Sequence, residues 1–93
     1  MLSVEQQVDR LLADVVPHLP EGDQSLIRSD LFDVDPDMAL DDCMQFTLLA
    51  GIQLPAELLD SIEGTVQHAY DPELVERTLG WIDQHRERNR AAA

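Results

Sequence analysis

Apolar residues recur along this chain at intervals of three and four, and no segment alternates with a sustained period of two. That spacing is the signature of helices that bury one face, so the fold class expected is all-α, a compact bundle of four to five short helices. Val4, Val8, Leu11, Leu12, Val15 and Val16 form the first stripe. Ser3 followed by Gln6 opens it as a capping box, and Pro17 stops it. Leu19 to Gly22 reads as a loop, and a short second helix from about Gln24 to Phe32 is expected to bury Leu26, Ile27 and Leu31. Asp35-Pro36 is an N-cap acid followed by proline at the first helical position, where the missing N–H costs nothing. The third helix then runs through Met38, Leu40, Cys43, Met44, Thr47 and Leu48 to a C-terminal stop at Gly51. Pro55 opens a fourth helix with Leu58, Leu59, Ile62 and Val66 inward and Gly64 inside it. Asp71-Pro72-Glu73 repeats the acid–proline–acid start, and Leu74, Val75, Thr78, Leu79 and Ile82 form the fifth stripe. Arg86, Arg88 and Arg90 lie near its C-terminal end, where cations complement the helix dipole. Residues 1–90 are expected to be a single helical domain and residues 91–93 a frayed tail.

Composition leaves that fold unchanged but narrows the partners. A chain of 93 residues supports one hydrophobic core. Nineteen acids face six arginines, with no lysine, for a net charge of -13. Phosphate backbones and anionic membrane surfaces repel such a chain, so neither nucleic acid nor membrane is an expected partner. No run is long and apolar enough to span a bilayer, and the start Met1-Leu2-Ser3-Val4-Glu5 lacks the basic and apolar regions of a signal peptide. The single cysteine, Cys43, has no internal disulfide partner, so a cytoplasmic location is expected. The charge is also unevenly placed. Residues 21–76 carry fourteen acids against Arg28 alone, and six aspartates fall between Asp30 and Asp42. Capping explains Asp35 and Asp71, and the helix dipole explains Asp37. The cluster as a whole, with almost no cations to offset its repulsion, reads as a surface for a basic partner.

Motifs of catalysis and metal binding fit poorly. Asp33-Val34-Asp35-Pro36-Asp37 imitates the opening of a calcium loop, yet a twelve-residue loop starting there has Met38 where glycine is required and Met44 where glutamate is required. Asp23-Gln24-Ser25-Leu26 is a near miss to the Asp-Ser-Leu attachment site of acyl carrier proteins, broken by Gln24. His18, His68 and His85 lack paired ligand spacing with Cys43, which shares the stripe of Leu40 and Thr47 as a small core residue. With no phosphate-binding loop and no nucleophile–base pairing, no cofactor, no metal and no enzymatic activity are expected. Trp81, flanked by inward Leu79 and Ile82, is expected to be partly buried, and Tyr70, at the junction of the fourth and fifth helices, is the aromatic candidate for an interface.

Three segments of the middle of the chain carry a likeness: Asp37-Met38-Ala39-Leu40-Asp41-Asp42-Cys43, the connector Ile52-Gln53-Leu54-Pro55, and Leu58-Leu59-Asp60-Ser61-Ile62-Glu63. This pattern, from about Ser25 to Asp71, resembles the small helical immunity proteins of the MafI type, which protect bacteria from polymorphic or contact-dependent toxins. The chain departs from that family at Met44-Gln45-Phe46-Thr47, where relatives often carry further acids and a tyrosine. The resemblance implies stoichiometric inhibition of a cognate basic, nuclease-type toxin domain by an acidic helical surface. The residues expected to carry it are Asp33, Asp35, Asp37, Asp41 and Asp42 at the start of the third helix, Glu57, Asp60 and Glu63 on the fourth, and Tyr70. The chain itself is expected to be a monomer or weak homodimer. The competing readings are a small acidic carrier or adaptor domain modified at Ser25, a self-associating helical module, and a nucleic-acid mimic that regulates a host protein.

Overall fold

Every stretch that the spacing marks as helical is helical in the computed structural model, which describes residues 2–33 and 35–92. Met1, Val34 of the Asp33–Asp37 run and Ala93 of the expected tail lie outside the described residues. Five α-helices are formed among them: α1 (Val4–Arg10), α2 (Glu21–Phe32), α3 (Pro36–Leu49), α4 (Ala56–Val66) and α5 (Pro72–Ala92). No strand occurs among the described residues, and the chain is a small all-α bundle. No helix among them is long and apolar enough to cross a membrane.

The expected caps form. Ser3 Oγ accepts from the Gln6 amide at 3.1 Å while Gln6 Oε1 accepts from the Ser3 amide at 2.9 Å, satisfying two N–H groups that the first turn of α1 leaves without partners. Asp35 Oδ1 accepts from the Met38 amide at 3.2 Å to start α3, and Asp71 Oδ1 accepts from the Glu73 amide at 3.0 Å to start α5. Gly51 closes α3 with a φ of 75°, in the left-handed region. The Ile52 and Gly51 amides there reach back to the carbonyls of Thr47 and Leu48, a Schellman ending.

Three details differ from the expectation. The first helix does not simply stop at Pro17: α1 widens into a π-helical turn over Leu11–Val15 and tightens into a 3-10 turn over Val16–His18. Leu11, Val15 and Val16 are all buried across this change of winding, while Val4 is 40% exposed. The loop before α2 is shorter than expected, since Pro20 already caps a helix beginning at Glu21. With that phase Ile27 is buried and Leu31 half-buried, but Leu26 turns outward at 49% exposure. The tail, finally, is helical through Ala92.

The core gathers Leu11, Val15, Val16 and Leu19 from the first segment, Ile27 from α2, Leu40, Cys43 and Met44 from α3, Leu54, Leu58, Leu59, Ile62 and Val66 around α4, and Ile82 from α5. Trp81 packs half-buried against it. A polar latch ties α1 to α4: the buried Gln7 donates through Nε2 to the carbonyls of Leu2 and Ser61 at 3.0 and 3.1 Å and accepts at Oε1 from Thr65. The opposite seam joins α3 to α5 through Thr78, Ile82 and His85, all buried. Nε2 of His85 lies 2.9 Å from the Met44 carbonyl, so the ring donates there, and Nδ1 is left buried without a partner. Burial lowers the His85 pKa, which keeps the imidazole neutral near pH 7.

The glycines of α3 and α5 respond oppositely to alanine. Gly80 lies within α5 with open space around the position of a Cβ, so Gly80→Ala is expected to raise stability by about 1 kcal/mol, a rise of roughly 4–8 °C in Tm. At Gly51 the positive φ makes Gly51→Ala destabilising by about 1 kcal/mol. Thermal melts of the two variants beside the parent chain test both signs.

Candidate acidic cleft

The two acid–proline–acid starts sit beside each other. Asp35-Pro36-Asp37 opens α3 and Asp71-Pro72-Glu73 opens α5, and between these helix starts lies an open cleft of about 500 Å³. Asp35, Asp37, Asp71 and Glu73 all line it, with Met38 and Leu74 as apolar lining and Arg77 as the cation. Tyr70 completes it and is fully exposed. The caps account for this placement. A capping carboxylate must lie ahead of the first turn of its helix, and two neighbouring helix starts therefore bring two caps and their following acids together.

Asp41 and Asp42 are not on that surface. Both are buried, at 0% and 5% exposure, so neither is available to a partner in the folded chain, which corrects their assignment to a binding face. Their helix is enclosed on every side there: residues 39 to 44 are all buried. Asp41 is neutralised within the fold. Arg77 reaches its Oδ2 through Nε at 3.1 Å and Nη2 at 2.8 Å, and Thr78 donates to Oδ1 at 2.7 Å. Asp42 has no such cation to itself. Burial raises its pKa to about 7, and a hydrogen bond with Asp30 of α2 and the negative charges of Asp30 and Asp41 push the same way, against the pull of Arg77. Its neighbour Cys43 is buried as well; burial and the charges of Asp42 and Asp30 push the thiol up to about 12, so it stays protonated at pH 7.

The α4 acids are held by arginines. Arg86 grips Asp60 at 2.7 Å and Glu63 at 2.6 Å, while exposed Glu57 lies 3.9 Å from Arg10. Asp33 is exposed just past α2 and does not line the cleft. Of the nine residues expected at the interface, Asp35, Asp37 and Tyr70 are thus brought together. Asp71, Glu73, Met38 and Arg77 join them without having been expected there. The signal that finds them is the repeat of acid–proline–acid at two helix starts, which the sequence displays and which acquires a meaning only when the helices are neighbours.

Arg88 also departs from expectation. It does not complement the end of its own helix; it donates across to the Leu48 and Ile52 carbonyls at the C-terminal end of α3. Ser25 is exposed in the second turn of α2. Among the described residues no three His, Cys, Asp or Glu side chains converge as a metal cage.

No family model, no curated protein and no solved structure matches this chain.

The division between buried and surface acids is measurable. Arg77→Leu strands the Asp41 carboxylate inside the bundle and is expected to cost about 3 kcal/mol, below the upper range for buried pairs because Arg77 is half exposed. Adding Asp41→Asn should recover a large part of that loss, and Asp33→Asn should stay within about 0.5 kcal/mol of the parent. Urea unfolding of the four chains checks the three differences.

Proposed function

We propose that this chain is a toxin-neutralising immunity protein that binds a basic protein toxin domain, stoichiometrically and without chemistry, through the acidic cleft between α3 and α5. The observation that carries the reading is the cleft's composition: four carboxylates around a fully exposed tyrosine, in a chain of net charge -13. Arg77, the cation in the lining, is already committed to Asp41, so the cleft keeps a negative field. A lysine or arginine of a partner meets carboxylates there and the face of Tyr70, which adds a cation–π contact to charge complementarity. A toxin that acts on nucleic acid needs a cationic cleft for phosphates, and carboxylates presented at phosphate positions occupy it. The resemblance of the middle of the chain to MafI-type immunity proteins supports the same role. The residues that carry it in this reading are Asp35, Asp37 and Tyr70, kept from that set, with Asp71 and Glu73 added by the cleft.

The test begins with recovery of the tagged chain from its native cells in low salt and elution by a rising salt gradient. A basic partner, toxic when expressed alone and harmless beside this chain, is the expected result. Against that partner, Tyr70→Ala should weaken binding by about 2 kcal/mol, roughly thirtyfold. Glu73→Arg should slow association and flatten its salt dependence. A partner that binds both variants as tightly and as fast as the parent chain would remove the cleft from the interface, and recovery of the chain alone would remove the immunity reading.

A further inference from the structure

Farther along the seam between α3 and α5 than the acidic cleft, His85 is enclosed at 1% exposure. Its Nε2–H is shared by two acceptors of α3, the Met44 carbonyl at 2.9 Å and the Thr47 hydroxyl oxygen at 3.1 Å. That oxygen is free to accept because the hydroxyl proton goes to the Cys43 carbonyl at 2.6 Å. These bonds fix the tautomer and survive protonation of the ring. The proton that changes its charge must go to Nδ1, which is buried with no partner among the described residues. A cation made there has no acceptor for its new N–H.

The acids of the surrounding elements are committed elsewhere. α5 packs chiefly on α3 and α4. On α3, Asp41 is taken by Arg77 and Thr78, and Asp42 lies about 140° around the helix from Thr47. On α4, Asp60 and Glu63 are both held by Arg86. On α5 itself, Asp83 and Glu87 stand exposed, each two residues from His85 and so on the opposite face. Arg88, one turn on, is the charged group that acts on the ring, and it repels a second cation. Burial disfavours the charged ring more strongly still, against the favourable bond to the Met44 carbonyl.

Two further grips fasten this half of α5. Arg88 donates to the Leu48 and Ile52 carbonyls at the end of α3, and Arg86 pairs with Asp60 and Glu63 on α4. Residues 86 and 88 point to opposite sides of the helix, so the α3 grip can open while the α4 grip holds. We propose that His85 is an acid-operated latch: a proton taken at Nδ1 releases the C-terminal half of α5 from α3, and Arg86 keeps that half on α4. Release unseats Arg88 and uncovers Thr47 and the last turn of α3. A released imidazole titrates near its ordinary value of 6.5, while the closed ring stays neutral. Each unit of pH below that value therefore favours release about tenfold, down to the folded pKa. The latch does not depend on the function proposed for the acidic cleft.

Amide hydrogen exchange of the whole chain at pH 7.5 and pH 5.5, corrected for the intrinsic pH dependence of exchange, tests the latch. Protection of residues 81–92 is expected to fall about tenfold at the lower pH, with α1 and α4 keeping theirs. In His85→Gln the side-chain amide still donates toward the Met44 carbonyl but takes no proton, so the fall should vanish. Should that variant fail to fold, the ring nitrogen signals of His85 in the parent chain decide the matter by NMR. At pH 7.5 they should show a protonated Nε2 and a bare Nδ1, with a titration midpoint below 6.5. Equal protection of residues 81–92 at both pH values would overturn the proposal. So would a fall shared equally by α1 and α4, a fall that persists in His85→Gln, or a folded ring that titrates at 6.5.

Discussion

The structure depends on enclosing α3. Six consecutive residues of that helix, from Ala39 to Met44, are buried, and two of them are aspartates. A helix surrounded by α2, α4 and α5 has no wet face on which to carry charge, so each carboxylate must be neutralised by what packs against it. Asp41 draws Arg77 and Thr78 down from α5, while burial and the nearby charges of Asp30 and Asp41 raise the pKa of Asp42 toward its uncharged form. These contacts add little net stability compared with an apolar core of the same shape. They do make wrong packings costly, because a shifted α5 would leave Asp41 as a bare buried charge. The other end of α3 is fixed by the same partner helix, since Arg88 caps its last carbonyls while Arg86 holds α4. Four of the six arginines of the chain lie on α5, and three of them, Arg77, Arg86 and Arg88, serve as its grips on the bundle.

That use of the cations decides what the surface looks like. With Arg77, Arg86 and Arg88 engaged internally, the carboxylates at the starts of α3 and α5 have no side-chain cation in reserve. The fold tolerates them because each helix N-terminus carries about half a positive charge, which two helix starts together raise to roughly one. Four carboxylates in one cleft exceed that, and a net negative field remains facing water. The same caps that start the helices thus leave a cleft suited to a cation, and Tyr70 stands in it with its whole ring exposed.

Local chemistry was legible in the sequence wherever both partners are near in the chain. Ser3 and Gln6, Asp35 and Met38, Asp71 and Glu73, and Gly51 with its two back-bonds are all separated by only a few residues, and each is where the sequence places it. Asp41 and Asp42 were misread because the partners that neutralise them lie on other helices: Arg77 is 36 residues from Asp41. Two adjacent acids on a helix of moderate apolar content look like a wet face unless three other helices are known to close around it. Leu26 and Ile27 present the same difficulty on a smaller scale. Adjacent apolar residues point about 100° apart on a helix, and the true start at Glu21 sends the second of them inward. The candidate cleft was half legible, since both acid–proline–acid starts were visible and their adjacency was not.

Two buried titratable groups give the bundle opposed responses to pH. The folded pKa of Asp42 is raised from 3.8 to about 7, so its contribution to stability is fully present below the unfolded value and is lost as pH rises through about 7. His85 is shifted down from 6.5, so its contribution is present above that value and is lost as pH falls through its folded pKa. Below pH 6.5, as far down as the folded pKa of His85, the two therefore act with opposite sign, and the loss at one seam is offset in part by the gain at the other. The groups sit on different seams, however: His85 joins α3 to α5, and Asp42 joins α3 to α2. A change of pH that leaves the total nearly level still moves strain from one side of α3 to the other.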